Sequence, residues 1–146
     1  MSNDIRFDHV GITVADLDTA VGFFTSLGLE AGDRMTVEGE FLDTVIGMSG
    51  ARTEIVMLRL PGGGTTVELS TFVRPEHEPG SPTAMANELG IRNVCFVVDD
   101  LQATLDRLAA NGYGLVAGIG TYENALRMAY VRGPEGIIVS LAESLG

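Results

Sequence analysis

One pattern is written twice in this chain, and that duplication limits what it can fold into. From Phe7 to Gly28, FDHVGITVADLDTAVGFFTSLG, alternation puts Val10, Ile12 and Val14 on one face of a strand. Phe7, His9, Gly11 and Thr13 fall on the other. Asp16 follows as an N-cap, able to accept from the free amides of a first helical turn. Leu17, Ala20, Val21, Phe24 and Leu27 then recur at helical spacing, and Gly28 can end the helix in the left-handed region. Asn93 to Gly112 repeats the unit with Val94, Phe96 and Val98, the cap Asp100, then Leu101, Leu105 and Leu108. His9, Asp16 and Gly28 have the spacing of Asn93, Asp100 and Gly112. Further on, Val67-Glu68-Leu69 and Val139-Ser140-Leu141 each follow a glycine turn. The spacing predicts two modules, residues 1–73 and 88–146, joined by a linker at 74–87, and not a solenoid.

A chain of 146 residues with 45% apolar side chains can bury a real core as one domain. A formal charge of −11 disfavours nucleic acid and anionic membrane as partners, because both need a positive face. All nine basic residues are Arg, which excludes Schiff-base chemistry on a lysine and a P-loop lysine. Cys95 is the single cysteine, so no internal disulfide forms, and no apolar leader is visible; a reducing cytoplasm is expected. Its place mid-strand among apolar neighbours predicts a buried, inert thiol.

Between the repeated units, Leu29–Val37 reads as one strand and Glu40–Met48 as a short helix or a flap. Thr53–Leu60 and Thr65–Phe72 read as strands joined by Pro61-Gly62-Gly63-Gly64. With no helix after it and no lysine, this glycine run is a hairpin turn and not a phosphate cradle. In the later strand Thr66, Glu68, Ser70 and Phe72 share a face opposite Val67 and Leu69. Glu68 is either a solvent-facing rung or a functional carboxylate, since burying a charge without a partner is costly. Arg74–Thr83, RPEHEPGSPT, is a linker in which His77 is expected to be solvated. The second module continues through Tyr113–Ala117, a loop holding Tyr122 and Glu123, Leu126–Arg132, and a turn at Gly133-Pro134-Glu135-Gly136 before Ile137–Ala142.

Each module therefore reads β-α-β-β-β, an α+β chain. The duplicated unit, with DHVGITVADLDTAVGFF, VELSTF, VDDLQATLDRLAANG and YVRGPEGIIVSLAE, resembles the vicinal oxygen chelate superfamily. That superfamily includes glyoxalase I, extradiol dioxygenases and the bleomycin-resistance binding proteins. The resemblance implies two tandem βαβββ modules whose sheets curl around a shared cavity, and a homodimer. In metal-using relatives the first-strand position of each module is commonly His and the last-strand position Glu. His9 and Glu68 match that pattern; Asn93 and Ser140 depart from it. One His and one Glu make at best a weak site for Mn²⁺, Mg²⁺ or Fe²⁺, with no bound metal as the other outcome. Glyoxalase I and extradiol dioxygenase activity are disfavoured for the same reason.

Two functions follow from the resemblance. In one, a lyase- or isomerase-type enzyme acts on a small carbonyl or oxygenated compound, with Glu68 as general base and His9 as its acid or orienting partner. In the other, the protein sequesters an antibiotic-like small molecule without chemistry. Asn93 and Ser140 line the ligand site in either case. Phe7, Met57, Phe72, Tyr122, Met128 and Tyr130 are candidates for its walls, or else ordinary core.

Overall fold

A computed structural model describes residues 5–146. The chain forms two compact units, Met1–Glu78 and Pro79–Gly146. The first runs β1 (His9–Thr13), α1 (Leu17–Ser26), β2 (Glu30–Ala31), β3 (Met35–Glu38), α2 (Glu40–Ile46), β4 (Arg52–Arg59) and β5 (Thr66–Arg74). The second runs β6 (Asn93–Val97), α3 (Leu101–Ala110), β7 (Leu115–Tyr122), β8 (Leu126–Arg132), a 3-10 turn at Pro134–Gly136, and β9 (Ile138–Ser144). The fold is α+β, and among the described residues no helix is long and apolar enough to cross a membrane.

The two units share a plan down to single bonds. Each first strand pairs in parallel with its unit's last strand, giving the orders β1-β5-β4-β2, with β3 also on β4, and β6-β9-β8-β7. Gly11 stands beside Glu68 in the first unit, and Cys95 stands beside Ser140 in the second. These are the same relative positions in each repeat. Val14 donates to the Ser70 carbonyl and Val98 to the Ala142 carbonyl, both at 2.8 Å. The Asp16 carboxylate caps α1 by accepting from Thr19 N–H, and Asp100 caps α3 by accepting from Ala103 N–H, both at 3.0 Å. Gly28 and Gly112 follow the helices at φ of 112° and 91°, a region closed to most side chains.

Alternation along the strands divides each sheet into a sealed face and an open one. Val67 and Leu69 on β5, Val56 and Leu58 on β4, and Val14 just past β1 are buried. Leu17, Ala20, Phe23 and Phe24 of α1 are buried with them. Phe23 belongs to this core although the helical stripe read from the sequence passed over it. It meets Phe24 edge to face, with ring centroids 5.1 Å apart, while Val21 and Leu27 are half-buried. In the second unit Leu101, Leu105 and Leu108 of α3 are buried, as are Ala129, Val131, Val139 and Leu141 of the sheet.

The middle of the first unit departs from expectation. Leu29–Val37 is not one strand: β2 and β3 pair separately with β4, with Gly32 donating to the Met57 carbonyl between them. Glu40–Ile46 is a helix, and none of its residues is buried. Asp43 fastens it by accepting from the N–H groups of Gly50 and Ala51 at 2.8 and 3.1 Å. His77 is exposed, as expected of a linker residue, yet it is tied down. Its Nε2 accepts from Phe72 N–H at 2.9 Å, so the linker leaves β5 on a fixed course. Tyr122 closes β7 instead of lying in a loop. At the far end of the linker, Gly136 has a φ of 85°, and a Cβ there would sit 2.6 Å from Pro82 Cα.

Candidate active site

The open face of the first unit carries the charged residues. Strand parity and the parallel register place His9 at the start of β1 and Glu68 mid-β5 on the side away from α1. Glu68 is half-buried beside Gly11, which offers no side chain to keep the neighbours apart. His9 Nε2 lies 3.3 Å from Glu68 Oε2. On the other side of the ring, Nδ1 lies 2.7 Å from Asp8 Oδ2. The imidazole is thus held between two carboxylates. The hydrogen bond to Asp8 raises the His9 pKa above its ordinary value; partial burial opposes the rise, and the charges of Glu68 and Asp8 add to it. Protonated, the ring is a donor at both nitrogens.

Strand alternation hid Asp8, since neighbours in a strand point to opposite faces. Asp8 lies just before β1, where that constraint lapses and its carboxylate can fold back on the next residue's ring. The adjacency Asp8-His9 was the available signal. Of the predicted walls, Met57 is paired with Glu68 across β4 and β5 and stands on the same face, half-buried. Phe72 is half-buried on that face, at the β5 end where His77 anchors. Phe7 precedes β1 and is 74% exposed.

The equivalent face of the second unit holds no charge at the equivalent positions. Ser140, 1% exposed, donates to Asn93 Oδ1 at 3.0 Å. Asn93 Nδ2 donates to the Tyr130 hydroxyl at 3.3 Å. Tyr130 therefore reaches from β8 across β9 to β6, away from β7. On the side it leaves, β7 bulges: Leu115 pairs with Val131 and Ile119 with Ala129, so Val116, Ala117 and Gly118 together face Tyr130. A hollow of about 330 Å³ opens there, lined by those three residues and by Met128, Ala129 and Tyr130. Tyr122, at the far end of β7, is exposed. Cys95 is exposed too, contrary to the expected buried thiol. It lies on the open face of the edge strand β6, where an apolar run does not ensure burial.

Among the described residues no group of three or more His, Cys, Asp and Glu side chains is placed to hold a metal ion. The two residues that match metal-ligand positions are engaged with each other, and His9 is engaged with Asp8 as well. Their counterparts, an amide and a hydroxyl, are poor partners for zinc. The residues present do not fit a tightly held metal.

A model of the Glyoxalase/Bleomycin resistance protein/Dioxygenase superfamily matches residues 6–141. The chain belongs to this superfamily. Among solved structures, it is similar to a glyoxalase family protein from Bacillus cereus, at 40% identity and a TM-score of 0.93, covering 100% of this chain and 99% of that one. A glyoxylase/bleomycin resistance protein/dioxygenase domain from Frankia shares the fold at 20% identity and a TM-score of 0.64, covering 93% and 89% of the two chains. The trypanothione-dependent glyoxalase I of Leishmania major does so at 18% identity and 0.66, covering 96% and 87%. No curated protein matches. In this superfamily member, then, the twofold plan persists while the equivalent positions of the two repeats differ, His9 and Glu68 in one and Asn93 and Ser140 in the other.

Proposed function

We propose that the chain is a lyase- or isomerase-type enzyme acting on a small carbonyl compound by proton transfer, with at most a weakly held Mn²⁺, Mg²⁺ or Fe²⁺. The observation that carries this reading is the contact of 3.3 Å between His9 Nε2 and Glu68 Oε2, with Asp8 on the far nitrogen of the same ring. Glu68 takes a proton from the carbon next to the carbonyl, and the C–H electron pair moves toward the oxygen. His9, kept protonated by Asp8, gives its Nε2 proton to that oxygen, so the intermediate is a neutral enol. For an isomerisation, Glu68 returns its proton to carbon while the enol oxygen gives its proton back to His9. For an elimination, the enol collapses to the unsaturated carbonyl compound, its oxygen returns the proton to His9, and the group on the next carbon leaves with its bonding pair and takes the proton held by Glu68. Asp8 never meets substrate in this scheme; it is a positioning residue that holds the ring and its charge.

A homodimer belongs to the same reading. β1 and β6 end their sheets, and the apolar residues Phe7 and Val97 beside or within them are 74% and 79% exposed. A second reading, sequestration without chemistry, is supported by the apolar hollow against Tyr130 and Met128. Deuterium wash-in separates the two. The protein is incubated in D₂O with a panel of 2-oxo and 1,3-dicarbonyl compounds and followed by proton NMR. Exchange next to the carbonyl in at least one compound, lost in Glu68→Gln, supports the enzyme. Saturable binding with no exchange in any of them supports the binder.

A further inference from the structure

The hydrogen bonds of the second unit can be counted donor by donor. Asn93 Oδ1 accepts from Ser140, and one Asn93 Nδ2 hydrogen goes to the Tyr130 oxygen. Tyr130 uses its oxygen as acceptor, so its own hydroxyl hydrogen has no acceptor among the described residues. The second amide hydrogen of Asn93 is equally unspent. Two donors thus stand side by side, with their acceptor atoms already occupied by one another and by Ser140. Asn93 is exposed and Tyr130 half-buried, so both can be reached. Ser140 is not: buried at 1% exposure, its hydroxyl fixes which end of the Asn93 amide faces Tyr130.

We infer that Tyr130 and Asn93 form an uncharged two-donor cradle for a ligand oxygen that carries or develops negative charge, as in an enolate or a phenolate. Hydrogen bonds to a charged oxygen are about twice as strong as neutral ones, so donors fixed beforehand favour the anion over its conjugate acid. The hollow of about 330 Å³ lies on the β7 flank of Tyr130, so an aromatic body attached to that oxygen reaches Met128 and Val116 by lying across the Tyr130 ring. Ser140 is a positioning residue in this arrangement. The cradle is made wholly by residues of the second unit and does not depend on proton transfer at His9 and Glu68, so the two ideas fail separately.

The test uses 4-nitrophenol, whose absorbance distinguishes phenol from phenolate. It is titrated against the intact protein across pH at physiological ionic strength. The wild-type protein should bind it saturably and hold the phenolate about tenfold more tightly than the phenol, which lowers the bound phenol's pKa by about one unit. Tyr130→Phe removes one hydroxyl and should abolish most of that preference while still binding the phenol. Ser140→Ala, which frees the Asn93 amide to turn, should reduce it partway. Absence of saturable binding by the wild-type protein overturns the inference. So does a Tyr130→Phe protein that prefers phenolate as strongly as wild type. A lack of enzymatic turnover leaves this titration unchanged.

Discussion

His9 and Glu68 meet from two strands distant in sequence, with Nε2 and Oε2 3.3 Å apart, because parallel pairing sets β1 beside β5. A carboxylate beside one ring nitrogen and a second carboxylate, Asp8, at 2.7 Å from the other make His9 a better base than a free histidine. The consequence is a histidine that stays charged at higher pH than usual.

That charge state can be read directly. The folded pKa of His9 is raised, so its contribution to stability is complete below the unfolded value, about 6.5. The contribution is lost as pH rises through the folded value. Asp8→Asn removes the largest cause and should bring the His9 midpoint down; Glu68→Gln should lower it less. Proton–nitrogen NMR of the ring through a pH titration checks both shifts. A midpoint unmoved by Asp8→Asn contradicts the two-carboxylate account.

The acid side is governed by other residues. Asp16 is held below the usual carboxylate range chiefly by the Thr19 amide, and Glu143 chiefly by the Leu101 amide, then by Arg127. Both pKa values are depressed, so their contribution is present above the ordinary carboxylate range and is lost as pH falls through the folded values. Glu143→Gln should flatten the loss of thermal stability on acidification, measured as the midpoint of melting against pH.

Two substitutions probe the packing that supports the faces. Leu141→Ala empties a fully buried position on β9 and should cost about 3 kcal/mol in denaturant unfolding. Gly136→Ala should cost about 1–3 kcal/mol, because its φ of 85° and the backbone of Pro82 both exclude a Cβ. Alanine at Gly62, whose added Cβ would meet nothing within 4 Å, serves as the mild control.

Association is the fourth expectation. If the exposed Phe7, just before β1, and Val97 of β6 are covered by a second copy, light scattering gives the mass of a dimer, and Val97→Glu shifts it toward the monomer. A monomer of unchanged mass over a wide concentration range contradicts the dimer.

Much of the fold was legible in the sequence because duplication tests itself. The caps Asp16 and Asp100 and the stops Gly28 and Gly112 agree between copies, so chance resemblance at one site is corrected by the other. The face of His9 and Glu68 followed from period-2 alternation alone. The misreadings come from places where periodicity carries no information. Gly32 interrupts the run from Leu29 to Val37, and the break into β2 and β3 depends on how each pairs with β4. The exposure of Cys95 reflects β6 lying at a sheet edge, a property of strand order. Tyr130 bonding to Asn93 spans three strands, and the bulge at Val116–Gly118 is set by register; neither distance is written in spacing along the chain.

If Glu68 moves the proton, turnover and binding respond differently to Glu68→Gln, measured against wild type with whichever carbonyl compound shows deuterium wash-in. Glutamine keeps the size and the polar contact with His9 but cannot act as base. Turnover is expected to fall by about 10²–10⁴-fold while the dissociation constant moves by less than about fivefold. Turnover in Glu68→Gln within about threefold of wild type contradicts it.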